Sequence, residues 1–123
     1  VWGAPGIDEF SVVGPSGYLL LDRGTVAKGS IAAIHPELRH DQLPGGEAAD
    51  NASIFRRLIA GDLSGPLLDM VTLNAGAAID LWNGRAPTAS GPGQRRAGEL
   101  IASGAVARIC ERYRVAASAH AAA

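Results

Sequence analysis

The sequence predicts an α/β chain in which hairpin strands come first and four helices follow. Short apolar runs broken by Gly-, Pro- and Asp-rich turns fill residues 1–34, the pattern of tightly connected antiparallel strands. From Glu47 onward apolar residues recur at helical spacing. One of these segments, Pro66–Trp82, is apolar over most of its circumference, as expected of a helix surrounded by other elements.

In chain order, Val1–Trp2 reads as the end of a parallel strand, and Gly3-Ala4-Pro5-Gly6 as a tight loop. The adjacent carboxylates Asp8 and Glu9 follow. After a Gly-rich loop such a pair fits two readings. It can hold a hard cation such as magnesium, with waters and substrate phosphates completing the shell, or it is a solvated loop end. Phe10–Val13 is predicted as a short strand and Tyr18–Leu21 as a second, with Asp22-Arg23-Gly24 a turn. Thr25–Ile34 returns, interrupted at Lys28-Gly29, and His35-Pro36 stops the run because the residue before proline avoids helical space. His35 and His40 are able to act as ligands or bases. A pair in a polar loop with no cysteine or third histidine nearby reads instead as plain surface.

Glu47–Ala60 is the first predicted helix. Glu47 and Asp50 lie in its first turn and Arg56-Arg57 toward its end, which suits the helix dipole. Ala48, Ala52, Phe55 and Ile59 form its inner face, with Leu58 beside them, and Gly61 ends it. Asn51 falls next to that face, where it either tethers helix to loop or joins a buried network with Asn74.

The Pro66–Trp82 helix starts with Gly65 as N-cap and Pro66 in the first turn, and it stops at Asn83-Gly84. Asp69, Thr72, Gly76, Asp80 and Asn83 recur every three or four residues and make one narrow polar stripe. Asn74 lies away from that stripe. A buried amide needs partners, so Asn74 is expected to tie the helix to a neighbouring backbone.

After a loop, Gln94–Ser103 forms the third helix, with Leu100 and Ile101 inward. Ser103 is placed to cap a fourth, Ala105–Val115, whose inner face is Val106, Ile109, Cys110 and Tyr113. Arg95, Arg96, Arg108, Arg112 and Arg114 make a solvated face, or alternatively an anion site. Residues 1–115 therefore read as one folded segment, and 116–123 as an Ala-rich, frayed tail.

Composition narrows the function classes. A net charge of −1 argues against nucleic acid or a membrane surface as partner. Cys110 is the single cysteine, so no internal disulfide forms, which fits a reducing compartment. No signal-like segment opens the chain and no uncharged apolar run reaches 18 residues. The start at Val1 rather than Met is expected of a chain processed, trimmed or cut from a longer one.

Four stretches in order resemble anthranilate phosphoribosyltransferases. Val1-Trp2-Gly3 with Gly6-Ile7-Asp8-Glu9 resembles the family's V-H-G…G-L-D-E segment. Gly45-Gly46-Glu47-Ala48-Ala49-Asp50-Asn51-Ala52 resembles its G-G-D-A-x-x-N-A helix start. Asp69-Met70-Val71-Thr72-Leu73-Asn74-Ala75 resembles D-x-V-x-L-N-A, and Ala97–Ala105 with Ser103-Gly104 resembles A-x-x-x-I-x-S-G-x-A. The likeness runs from Val1 to Arg114.

This resemblance implies the C-terminal third of a phosphoribosyltransferase/nucleoside-phosphorylase-type α/β domain. It implies a cytoplasmic enzyme of tryptophan biosynthesis that transfers phosphoribosyl from phosphoribosyl pyrophosphate to anthranilate. It makes Asp8 and Glu9 ligands of a magnesium ion on the pyrophosphate. Trp2 departs from the family's usual His, and no Phe-Gly follows His35-Pro36-Glu37. The family's G-T-G-D and K-H-G-N segments would lie upstream of Val1, so the N-terminal part of the enzyme is the expected partner and the chain alone is expected to be inactive. A pyrimidine nucleoside phosphorylase-like segment and a non-catalytic interaction module are the alternatives.

Overall fold

The computed structural model describes residues 1–4 and 6–121. Three strands form one antiparallel sheet in the order β1 (Trp2–Gly3), β2 (Ser16–Asp22), β3 (Thr25–Ile31). Four helices follow: α1 (Ala48–Ala60), α2 (Pro66–Trp82), α3 (Pro92–Ala102) and α4 (Ala105–Ala121). The predicted order of hairpin strands and then four helices holds. Val1–Trp2, expected as the end of a parallel strand, instead contributes to β1, which pairs antiparallel with β2 through Trp2↔Gly17 and Gly3↔Ser16.

The β2–β3 hairpin turns at Arg23-Gly24, between the paired residues Asp22 and Thr25. Both turn residues have positive φ, 46° and 82°, the mirror-image turn that matches strand twist. The interruption expected at Lys28-Gly29 does not occur, and β3 runs straight through. Gly29 pairs with Tyr18, and the tyrosine ring lies where a side chain at 29 would sit. The glycine therefore makes room for an aromatic neighbour rather than breaking the strand.

Contact clustering divides the chain into two compact units. The first comprises Val1–Pro44 and Ser64–Ala97. Its core is Phe10, Val12, Ile31, Leu73 and Ala77, with Tyr18, Ile34, Leu43 and Met70 packed around them. Phe10 and Tyr18 meet edge to face at 5.9 Å. Phe10–Val13, predicted as a strand, is buried but irregular, because its backbone groups are taken by side chains rather than by a ladder.

In α2 the polar stripe faces inward. Thr72, Gly76 and Asp80 are buried, whereas Leu81 and Trp82 are exposed, Trp82 to 91%. The expectation of a helix surrounded on all sides is thus corrected. Close approach of the Gly93-Gln94 backbone to Gly76 draws the small and polar residues inside. At the C-terminal end, Arg85 N–H donates to Asp80 O at 2.8 Å and Asn83 Nδ2 to Ile79 O at 2.7 Å. These bonds satisfy carbonyls that the helix leaves open.

The second unit comprises Gly45–Leu63 and Gly98–Ala123. In α1, Asp50 accepts the Glu47 N–H at 3.2 Å, and Gly61, at φ 81°, closes the helix with its N–H on Leu58 O. α1 packs against α4. No α1 residue is fully buried, and Phe55 is half exposed. Asn51 is exposed too and donates to Gly46 O at 2.8 Å, so it tethers helix to loop. Ser103 does not cap α4; its hydroxyl donates back to Leu100 O. The predicted inner face of α4 is only partly covered, with Ile109 and Tyr113 exposed and Val106 and Cys110 half-buried. α4 continues through the expected tail to Ala121, as alanine's high helix propensity allows. Ala122 and Ala123 lie outside the described residues. The five arginines of the predicted solvated face are all exposed.

Candidate functional site

The chain reverses immediately before the acidic pair. Gly3 N–H donates to Ile7 O at 2.8 Å, and Ile7 N–H returns to Gly3 O at 3.1 Å. This small loop sends Asp8 and Glu9 out to solvent, and both are exposed. Among the described residues neither carboxylate takes part in an ion pair or a side-chain hydrogen bond. Glu9 O passes so close to Gly3 that a Cβ there would lie 2.5 Å from it.

Directly after the pair five of the eight backbone polar groups of Phe10–Val13 are held by hydrogen bonds. Phe10 N–H donates to Asn74 Oδ1 at 2.9 Å, and Asn74 Nδ2 donates to Phe10 O at 2.9 Å and to Met70 O at 3.0 Å. Asn74 thus ties helix to backbone as its sequence position implied. Ser11 N–H donates to Ser16 Oγ at 2.8 Å, and Ser11 Oγ accepts from Val13 and Gly14 N–H. Val12 O accepts from Ile34 and His35 N–H. This irregular segment is therefore as well anchored as a strand would be.

His35 is not plain surface. Its Nε2 lies 2.7 Å from Asp69 Oδ2 and its Nδ1 3.4 Å from Glu37 Oε1. The hydrogen bond to Asp69 raises the imidazole pKa above its ordinary value, against the opposing effect of burial. Asp69, read from sequence as a member of the polar stripe, has a second role as this partner. His40 belongs to a short 3-10 turn, His40–Gln42, and lines a shallow groove of about 550 Å³ with Ala4, Val13, Gly14, Leu38, Arg39 and Asp41. Asp8 and Glu9 do not line it. Trp2 packs over Gly17, with Lys28 Nζ 6.0 Å from its ring.

Sequence reasoning missed the role of Asp80. It is 1% exposed, its Oδ1 accepts from Arg85 Nε at 2.9 Å and Gly93 N–H at 3.1 Å, and its Oδ2 has no partner among the described residues. An acidic residue in the last turn of an apolar helix, where the helix dipole disfavours negative charge, was the available signal. It fastens the 84–93 loop onto α2 and is structural in position.

No group of three or more His, Cys, Asp or Glu side chains able to hold a metal occurs among the described residues. The donor set at Asp8 and Glu9 still fits magnesium. Two hard, unpaired carboxylates are the protein's usual share when substrate oxygens and water fill the rest of the shell.

Curated relatives of the chain are anthranilate phosphoribosyltransferases. The chain is 37% identical to the anthranilate phosphoribosyltransferase of Salinispora arenicola (strain CNS-205), over 90% of this chain and 33% of the relative. It is 38% identical to that of Nocardioides sp. (strain ATCC BAA-499 / JS614), over 95% of this chain and 36% of the relative. It belongs to the anthranilate phosphoribosyltransferase family. It corresponds to a C-terminal segment of those enzymes and spans about a third of their length. The transferase of Exiguobacterium sibiricum is 39% identical over 83% of this chain and 30% of its own. No protein-family model matches the chain. No helix among the described residues is long and apolar enough to cross a membrane.

Proposed function

We propose that this segment supplies the magnesium-binding corner of an anthranilate phosphoribosyltransferase active site, in a cytoplasmic enzyme of tryptophan biosynthesis. The complete enzyme would move a phosphoribosyl group from phosphoribosyl pyrophosphate to anthranilate. Asp8 and Glu9 are the ligands. The observation that carries this reading is their exposure without a protein partner among the described residues, on a backbone held at both ends.

A magnesium ion bound there offsets the negative charge that grows on the departing pyrophosphate, without any proton transfer. Asp8 and Glu9 hold the cation side of that contact, and the Gly3–Ile7 loop aims them at solvent, where a polyphosphate has access. The segment holds neither of the family's G-T-G-D and K-H-G-N stretches, so donor and acceptor binding fall to the N-terminal part of the enzyme. That part is the partner this chain requires.

The test is an anthranilate fluorescence assay with magnesium and phosphoribosyl pyrophosphate. The 123-residue chain alone should consume no anthranilate above background. Joined to the N-terminal two-thirds of the Salinispora arenicola relative, it should do so. In that enzyme Asp8→Asn with Glu9→Gln should lower kcat more than it raises KM, because the cation's benefit is greatest in the transition state. Turnover by the pure chain would overturn the segment reading.

A further inference from the structure

We infer that Asn74, on α2, is the positioning residue for the Asp8–Glu9 carboxylates. The inference rests on the reading of that pair as magnesium ligands and adds to it a residue 64 positions beyond Phe10.

The geometry is specific. Phe10 N–H belongs to the same peptide plane as Glu9 O. Asn74 Oδ1 accepts that N–H at 2.9 Å, and Glu9 O, on the other side of the plane, is seated against Gly3. The Glu9–Phe10 peptide is therefore gripped from both sides. Asn74 Nδ2 spends one hydrogen on Phe10 O and the other on Met70 O, so its amide has no freedom to turn away. On the far side of the pair, Ile7 is locked to Gly3 by two backbone hydrogen bonds. Asp8 and Glu9 thus form a two-residue span between two fixed peptides.

Among the described residues neither carboxylate has a partner to hold its side chain, so the fixed backbone is what limits the directions the two can take. Ligands that are pre-aimed lose less freedom when a cation arrives. Asparagine's short amide places donor and acceptor side by side to match one residue's N–H and C=O.

The probe is manganese(II), which reports binding by paramagnetic broadening of backbone amide signals in the 123-residue chain. Broadening centred on Asp8–Phe10 is expected, and Asp8→Asn with Glu9→Gln should abolish it. Asn74→Ala should weaken the manganese midpoint about tenfold, the usual cost of losing an outer-shell support. Leu73→Ala, which also opens a buried site on α2, should lower thermal stability and leave the midpoint unchanged. If Asn74→Ala does not fold, Gly3→Ala displaces the same peptide from its other side and should weaken binding likewise. A folded Asn74→Ala whose midpoint stays within about twofold of the parent would overturn the inference, since outer-shell losses run larger. An equal loss in Leu73→Ala would overturn it too, by reducing the effect to general stability. Broadening that survives the Asp8 and Glu9 substitutions would overturn the magnesium reading itself, and this inference with it.

Discussion

Replacing Gly76 by alanine sets helix propensity against packing, and the structure decides which wins. In the middle of an exposed helix the change should stabilise by about 1 kcal/mol. Gly76 is buried, however, and a Cβ there would lie 2.5 Å from Gln94 Cα and 2.8 Å from Gly93 C. Both are backbone atoms and cannot rotate aside. Reaching ordinary contact requires the start of α3 to move by roughly 1 Å, an overpacking cost of about 1–3 kcal/mol. That movement also stretches the Gly93 N–H bond to Asp80 Oδ1, already 3.1 Å long. A hydrogen bond to a buried carboxylate is worth about 1.5–3 kcal/mol, and the other Asp80 oxygen has no partner to compensate. Subtracting the propensity gain leaves a net loss of about 1.5–5 kcal/mol. Gly98→Ala provides the opposite case in α3: its Cβ would meet nothing within 4 Å, so propensity acts alone and should stabilise by about 0.5–1 kcal/mol. Urea denaturation followed by far-UV circular dichroism measures both. Were Gly76→Ala to raise the midpoint as Gly98→Ala does, the close α2–Gly93 approach would be refuted.

Three further outcomes are expected. Asn74→Leu strands the N–H and C=O of buried Phe10 and should cost about 2–4 kcal/mol, whereas Asn83→Leu, whose amide caps an exposed carbonyl, should cost under about 1 kcal/mol. Equal melting shifts would show the two amides to be equivalent. The His35–Asp69 bridge should make stability pH-dependent. The folded-state pKa of His35 is raised, so its contribution is fully present below the unfolded value near 6.5 and fades as pH rises through the folded value. The stability difference between the parent and His35→Gln should therefore shrink as pH rises above the unfolded-state value of 6.5 and through the raised folded-state value. A difference that grows with pH would contradict the bridge. Asp8→Asn with Glu9→Gln should leave thermal stability unchanged to within about 0.5 kcal/mol, or raise it slightly, because two exposed, unpaired carboxylates contribute only mutual repulsion. A marked loss in differential scanning calorimetry would mean that the pair has a structural partner.

By itself the sequence determined the elements whose signals are local. Pro66 and Asn83-Gly84 bracket α2 because proline suits a first turn and a C-terminal asparagine-glycine stops a helix. Gly61 closes α1 and Arg23-Gly24 turns the hairpin for equally local reasons. The family was legible as well, because short motifs in order survive in the chain. Even the tether made by Asn74 was implied, since an amide in an apolar helix must find partners.

The tertiary structure alone decided which faces are covered and by what. Hydrophobic spacing says that a stripe exists but not which stripe a neighbour occupies, so Thr72, Gly76 and Asp80 proved to be buried beside Leu73 and Ala77 once Gly93 came against Gly76. The same gap explains why Ile109 and Tyr113, on the predicted inner face of α4, are exposed. Phe10–Val13 carries a strand's composition, yet Asn74, Ser11 and Ser16 take its backbone groups through their side chains, and no local signal reveals that contest. The Asp8–Glu9 pair was visible at once. Its fixed backbone became visible only when Asn74, 64 positions beyond Phe10, was brought beside it, because hydrogen bonds between distant segments leave no periodicity to read.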